Sequence, residues 1–311
     1  MLIIIDMTKI IENKLAGVSS KPKPYEKYLA PKPLNENLPK LWFCAMLVSS
    51  KGKGKTFSCV NLLQNYSDTG IVDPYDNERL IPRIIYCAPT AASKQNSILS
   101  TLKYLDDDDI YEDVKEQTLI DIFNDLLAEK NEIEEYDKYV KAWRRFIKSR
   151  NVMKLSDEDV FILASKGFVN PNDIKPQYTK PRVPFVILDD LISNPIFSNK
   201  KNNFVNWWCI RHRHISEKTV PVNLIFISQN LRSIGPVIRK QTDLWVIFAN
   251  ANKHKLIEQI YEEISGCGVS IEQFLEYFEY ICQQPFGSLI VSCIKEDIPV
   301  RMGWDKELKM V

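Results

Sequence analysis

An eight-residue apolar run, Leu41–Val48, passes directly into Ser49-Ser50-Lys51-Gly52-Lys53-Gly54-Lys55-Thr56. An uninterrupted run of that length predicts a strand covered on both faces, as in parallel sheets. A helix-period stretch, Thr56–Asn65, follows the loop. Four further runs have strand length: Arg83–Ala88, Val183–Leu188, Val222–Ser228 and Asp243–Ala249. Helical spacing marks Leu119, Ile122, Phe123, Leu126 and Leu127. A second helix is marked by Tyr136, Tyr139, Val140, Trp143, Phe146 and Ile147, and a third, near the end, by Ile271, Phe274, Leu275, Phe278 and Ile281. Buried strands alternating with helices predict an α/β fold with a mostly parallel sheet flanked by helices.

The first 40 residues form a Pro/Lys-rich arm, since Pro22, Pro24, Pro31 and Pro33 remove donors and favour extended chain. The core is expected over 41–265, with a C-terminal helix and strand extension over 266–311. Within the core, about 101–180 separates the second and third strands by far more than one helix and reads as a helical insertion. Its acidic run, Asp106–Asp109, is expected to be a solvated helix start or turn, because adjacent side chains do not converge on one metal ion. Gly266-Cys267-Gly268 is expected to be the break before the last helix.

Composition removes several classes. With 14 Phe, 13 Tyr and 6 Trp there is material for a large core, which excludes disorder over most of the chain. Lys plus Arg is 41 and Asp plus Glu is 40, so a non-specific polyelectrolyte binder is excluded and any nucleic acid must meet a local patch or an assembled channel. No apolar run approaches the ~20 residues of a membrane helix, and Asp6 breaks the Met1–Ile5 run too early for a signal-peptide core. No membrane partner is expected. The seven cysteines contain no CxxC pair, and Cys44, Cys59 and Cys87 read as small buried hydrophobes. That usage suits a reducing, intracellular compartment and argues against a disulfide scaffold.

The loop carries the first chemistry. Gly54-Lys55-Thr56 fits the end of a phosphate-binding loop, Gly-x-x-x-x-Gly-Lys-Ser/Thr, with Ser49 in place of the first glycine. Gly52 and Gly54 allow backbone N–H groups to curl around phosphate at a helix N-terminus, where the dipole favours anions. Lys55 supplies a point charge, and the Thr56 hydroxyl suits Mg²⁺. The structural alternative is a lysine-rich turn capping a helix. The candidate nucleotide-binding residues are Ser50, Gly52, Lys53, Gly54, Lys55, Thr56 and Phe57.

Val183–Leu188 ends in Asp189-Asp190. Ligands of open parallel sheets sit at the carboxyl ends of strands, so these carboxylates would face the loop. Asp189 would hold Mg²⁺ with Thr56, and Asp190 would deprotonate water for attack on a γ-phosphate. The alternative makes Asp190 a helix N-cap. After Ser228 come Gln229-Asn230-Leu231-Arg232. A strand-end amide there can sense a γ-phosphate or position water, or Gln-Asn can simply form a turn. Arg232 and Arg239 follow as candidate arginine fingers.

This order of motifs resembles the FtsK/HerA branch of P-loop ATPases, and more narrowly the genome-packaging ATPases of large double-stranded DNA viruses and virophages. The residues carrying the resemblance are Gly54-Lys55-Thr56-Phe57, Leu188-Asp189-Asp190-Leu191, Arg211-His212 and Ile227-Ser228-Gln229-Asn230-Leu231-Arg232-Ser233, continued by 236–248. It spans about 41–265. Ser49 and Asp190 depart from the superfamily pattern, which carries Gly and, in many members, Glu. The resemblance implies a RecA-like core that works as a ring, usually a hexamer, pumping duplex DNA into a capsid. It implies ATP and Mg²⁺ at Lys55, Thr56, Asp189 and Asp190, with Gln229 as sensor. It also implies capsid proteins as partners and residence in an infected cell, in the cytoplasm or viral factory, or with the virion.

Two weaker constellations remain. Cys209, His212 and His214 form C-x-x-H-x-H, but zinc needs a fourth ligand and the only other histidine is His254; a helix end is the bland alternative. Lys141, Arg144, Arg145, Lys148 and Arg150, with Trp143 and Phe146 between them, form either a DNA-facing stripe or a solvated helix face. A P-loop kinase or a non-packaging translocase or helicase shares the loop and the acidic strand end. A GTPase is disfavoured because Asn252-Lys253-His254-Lys255 lacks the carboxylate that reads guanine.

Overall fold

The computed structural model describes residues 29–89, 98–174, 176–178, 180–191, 195–197, 203–249, 254–264, 269–294 and 299–309. Most of the Pro/Lys-rich arm, the 266–268 break and Asn252-Lys253 lie outside them.

In chain order the elements begin with β1 (Lys32–Pro33), β2 (Cys44–Val48), α1 (Lys55–Thr69), β3 (Ile71–Val72), β4 (Arg79–Cys87) and β5 (Leu105–Tyr111). The insertion supplies α2 (Glu116–Ser149) and α3 (Asp157–Ser165). Then follow β6 (Arg182–Asp189), α4 (Phe204–Arg211), β7 (Asn223–Ser228), α5 (Pro236–Gln241) and β8 (Leu244–Phe248). The chain closes with α6 (His254–Ile264), α7 (Ile271–Cys282), β9 (Ser288–Ser292), β10 (Val300–Met302) and β11 (Lys306–Glu307).

All five apolar runs are strands of one sheet, in the order β1-β3-β4-β6-β7-β2-β8-β9-β10-β11, with β5 paired to β4. From β4 to β8 every pairing is parallel. The loop strand β2 and the acidic strand β6 both flank β7, so the two motifs open at the same edge. This is the α/β, RecA-like core expected from the motifs. One hydrophobic cluster lies on each face of the sheet. One joins Val48, Val186, Phe226 and Trp245 to α2, α4, α6 and α7; the other joins Leu47, Phe185, Ile227 and Val246 to α1. The extension over 266–311 is part of the same sheet, since β9 pairs antiparallel with β8 and β10 with β9.

Three expectations change. The acidic run is neither a helix start nor a turn: Asp106–Asp109 lies in the bulged strand β5. Asp109 is buried and accepts from Arg83 Nε (3.2 Å) and Nη2 (2.9 Å), an ion pair that local sequence does not reveal. The two helical patterns over 119–147 belong to one 34-residue helix, α2, because no Gly or Pro interrupts the strong helix formers between them. At 1.5 Å per residue α2 is about 51 Å long, and only its first half packs on the sheet. Its second half has a core of its own, where Tyr139 and Ala142 meet Leu163 of α3. Trp143 and Phe146 pack against that core rather than facing outward, while Lys141, Arg144, Lys148 and Arg150 are exposed. Arg145 pairs with Asp159 (2.6 Å). Finally, Cys44, Cys59 and Cys87 are buried free thiols as expected, with burial pushing Cys87 up to about 12. Cys293, however, is disulfide-bonded. Such pairing depends on tertiary proximity, which spacing alone does not show.

Glu129, buried in the middle of α2, ties the insertion to the sheet. It accepts from Arg83 of β4 (2.9 Å) and twice from Arg182 of β6 (2.6 Å each). The C-x-x-H-x-H stretch is structural. His212 is buried and its Nδ1 donates to the Cys209 carbonyl (2.6 Å), and no metal-binding group of three exists among the described residues. Beside it, Asp243 accepts from the Cys44 amide (2.9 Å) and pairs with Arg213. Burial opposes the Asp243 charge, but the His212 imidazole, Arg213 and the Cys44 amide outweigh it and hold the carboxyl below the usual carboxylate range.

A carboxyl depressed in the folded state contributes stability above its unfolded value of about 3.9 and loses it as pH falls through the folded value. Asp243→Ala should therefore cost about 2 kcal/mol at pH 7, the usual order for leaving a buried donor, here the Cys44 amide, without its acceptor. Urea titrations should show the gap to the parent protein narrowing below about pH 4. A gap independent of pH would remove the charge from the explanation.

Candidate nucleotide site

Ser49 continues the β2 ladder, its N–H donating to the Ser228 carbonyl (3.3 Å). It is not among the residues of positive φ, so the missing first glycine costs nothing here. The turn is made by Gly52 (φ 76) and Gly54 (φ 89). No atom stands within 4 Å of where a Cβ would lie at either glycine. Backbone conformation, rather than space, demands glycine at both. Gly54 caps α1, leaving the first N–H groups of the helix facing the loop.

Lys55 is buried and folds back over the loop, donating to the carbonyls of Ser49 (2.8 Å) and Ser50 (3.0 Å). Burial holds its ammonium below the usual lysine value, against the pull of Asp189 and Asp190. The Thr56 hydroxyl donates to Asp189 Oδ2 (3.1 Å). The same oxygen accepts a short hydrogen bond from Tyr86 of β4. Burial pushes the Asp189 carboxyl above its usual range, and the Tyr86 and Thr56 hydroxyls act the other way. Burial, then Asp189, pushes the Tyr86 hydroxyl far up, so it remains a donor. Thr56 and Asp189 together are the hard oxygen pair that Mg²⁺ prefers.

Asp190 stands at φ 52, a left-handed conformation, with its N–H donating to the Ile227 carbonyl (3.1 Å). Gln229 Nε2 donates to both of its carboxylate oxygens, at 2.8 and 2.9 Å. The N-cap alternative does not hold, because α4 is capped by Asn203. The turn alternative at Gln-Asn applies to one of the two residues. Asn230 Oδ1 accepts from the Arg232 N–H (3.0 Å), while Gln229 reaches the acidic pair.

Lys51 to Ser58, Asp189, Asp190 and Gln229 line one cavity of ≈ 710 Å³ at the carboxyl edge of the sheet. Ser50, Arg232 and Arg239 do not line it. Arg239 is engaged within its own chain, by Glu263 (2.7 Å) and the Ile234 carbonyl (2.9 Å). Arg232 is exposed, and its guanidinium makes no hydrogen bond or ion pair among the described residues. Tyr86 and the far wall of the cavity (Phe248, Phe286, Ser288, Gly303, Trp304 and Asp305) were not anticipated from sequence. Tyr86 sits at a strand's carboxyl end, a usable signal only once β4 is known to pair with β6. A smaller cavity of ≈ 260 Å³, at the opposite edge, is lined by Arg83, Glu129 and Arg182, which already pair with one another.

No protein-family model and no curated protein matches the chain. Among solved structures, it is similar to B204, the DNA-packaging ATPase of Sulfolobus Turreted Icosahedral Virus. The identity is 12%, the TM-score 0.45, and the match covers 85% of this chain and 97% of that one. The genome packaging NTPase B204 of Sulfolobus turreted icosahedral virus 2, in complex with AMPPCP, is similar at 13% identity and TM-score 0.41, over 84% and 96% of the two chains. EssC (ATPases 2 and 3) of Geobacillus thermodenitrificans is similar at 13% identity and TM-score 0.43, over 85% of this chain and 39% of that one.

Proposed function

We propose that the chain is a Mg²⁺-dependent ATPase that translocates double-stranded DNA as a ring of copies and packages a viral genome into a capsid. The observation that carries this is the convergence of Lys55, Thr56, Asp189, Asp190 and Gln229 on one cavity. Lys55 would exchange its Ser49 and Ser50 carbonyls for the oxygens of the β- and γ-phosphates, and the N–H groups of the loop would hold the rest. Thr56 and Asp189 would hold Mg²⁺, which supplies charge neutralisation on the phosphates. As water attacks the γ-phosphorus and the bond to the bridging oxygen breaks, Asp190 would take the water proton. Gln229, bonded to both Asp190 oxygens, would aim that carboxylate and respond to the γ-phosphate.

The charge developing on the transferred group needs a further cation. Arg232 is the better finger, since it is exposed and uncommitted, whereas Arg239 is held by Glu263. Arg232 does not reach its own cavity, which favours action across a subunit boundary in a ring, hexameric in the family the motifs resemble. Duplex DNA would meet a local basic surface in the assembled lumen, because the whole chain carries a net charge of only +1. Capsid proteins as partners, and residence in an infected cell's cytoplasm or viral factory or with the virion, belong to the same proposal.

Lys55→Ala should abolish ATP binding in equilibrium titrations; normal affinity would remove the phosphate loop. Asp190→Asn should bind ATP normally yet lose hydrolysis, and turnover at the parent rate would make Asp190 structural.

ATP hydrolysis should rise on adding duplex DNA, and the stimulation should fall steeply with salt as phosphate contacts release counterions. Hydrolysis indifferent to DNA would overturn the translocase. Arg232→Ala should bind ATP but hydrolyse it about 10³-fold more slowly. Mixing it with Lys55→Ala protein should recover activity, because a mixed boundary joins an intact loop to an intact arginine. No recovery in mixed rings confirmed by mass would place Arg232 outside a shared site.

A further inference from the structure

The hydrolytic groups occupy only one side of the cavity. Asp189, Asp190 and Gln229 end β6 and β7, on one flank of β2. The other flank belongs to β8, β9 and β10, which place Phe248, Phe286, Ser288 and Trp304 on the opposite wall. A nucleotide whose γ-phosphate faces Asp190 must run its sugar and base away from β6 and β7, and so over this second wall.

Phe286 on that wall is anomalous as a structural residue. It is 80% exposed and holds φ 54, a left-handed conformation unusual for an aromatic side chain. The turn that presents it is tightly built. Gln284 N–H donates to the Ile281 carbonyl (3.1 Å), Gly287 N–H to the Gln284 carbonyl (3.1 Å), and Ala249 N–H to the Gly287 carbonyl (2.9 Å). A Cβ on Gly287 would stand 2.2 Å from the Ile281 carbonyl oxygen, so the turn has one close-packed form. The wall behind it is fixed to α1, because Trp304 Nε1 donates to the Ser58 carbonyl (2.8 Å) and hydroxyl (3.0 Å). A second exposed aromatic, Phe57 at 63%, lines the same cavity from α1. Two solvated rings lining one cavity leave apolar faces bare, which folding alone does not favour.

We infer that Phe286 is the stacking platform for the purine base of the bound nucleotide, with Phe57 the second aromatic surface of the base site. This rests on the cavity being a nucleotide site and adds to it the part of the ligand that the phosphate loop does not read. Stacking recognises the face of a base rather than its edge, so the platform serves ATP and GTP alike. The C-terminal strands, remote in sequence from every motif, thereby complete the site.

The test compares ATP, GTP and inorganic tripolyphosphate, each with Mg²⁺, binding to the full chain by calorimetry. Phe286→Ala should weaken ATP and GTP by about tenfold or more, the order expected for one base on one ring, and leave tripolyphosphate unchanged. Phe286→Trp should keep the parent affinity for ATP. Its indole fluorescence, relative to the parent, should be quenched by ATP but not by tripolyphosphate. Parent-like ATP binding by Phe286→Ala, or an equal loss for tripolyphosphate, would overturn the platform while leaving the phosphate loop intact. Failure of the parent protein to bind either ligand would remove the nucleotide site itself, and the platform with it.

Discussion

Asn223, fully buried at the start of β7, holds the amino ends of three strands in register. Its Oδ1 accepts from the N–H groups of Trp42 (2.7 Å) and Phe43 (3.3 Å), at the approach to β2, and its Nδ2 donates to the Pro184 carbonyl of β6 (3.1 Å). With those ends pinned, the parallel ladders set Val48 opposite Ser228 and Ile227 opposite Asp189 at the other edge. Slipping a strand by one residue would turn its side chains to the opposite face. Asp189 would leave Thr56, and Asp190 would leave Gln229. Asp243 performs the same service between β8 and β2 through the Cys44 amide. The placement of the polar groups at the carboxyl edge thus depends on two buried polar side chains near the amino edge.

The insertion is fastened to the same frame. Glu129 bridges Arg83 and Arg182, so the first half of α2 is fixed to the strands on which Tyr86 and Asp189 lie. The buried Glu129 charge is tolerated because both half-buried guanidinium groups meet its carboxylate. The second half of α2 extends past the sheet with α3 as a small helical unit.

Much of the candidate site is legible in the sequence. Gly54, Lys55 and Thr56 lie in one contiguous segment, and the left-handed turns at 52 and 54 demand glycine in any fold that uses them. The two aspartates end an apolar run, which is enough to place them at a carboxyl edge. What was illegible arises from partners distant in sequence. Tyr86 is 103 residues from Asp189, and Trp304 is 246 from Ser58. The acidic run gave no local sign of being a strand, because β5 owes its form to pairing with β4 and its last aspartate to Arg83.

The amino-acid sequence by itself determined the strand runs, the glycine turn after β2 and the two carboxylates at the end of β6. These depend on local conformation and on hydrophobic patterning, both of which are written in neighbouring residues. Only the tertiary structure decided the strand order, which puts β7 between the two motifs. It also decided the continuity of α2, the engagement of Arg239 and not Arg232, and the closing of the cavity by β9 and β10. Each of these is a matter of which surfaces meet, and a parallel sheet brings together residues that no local interaction joins.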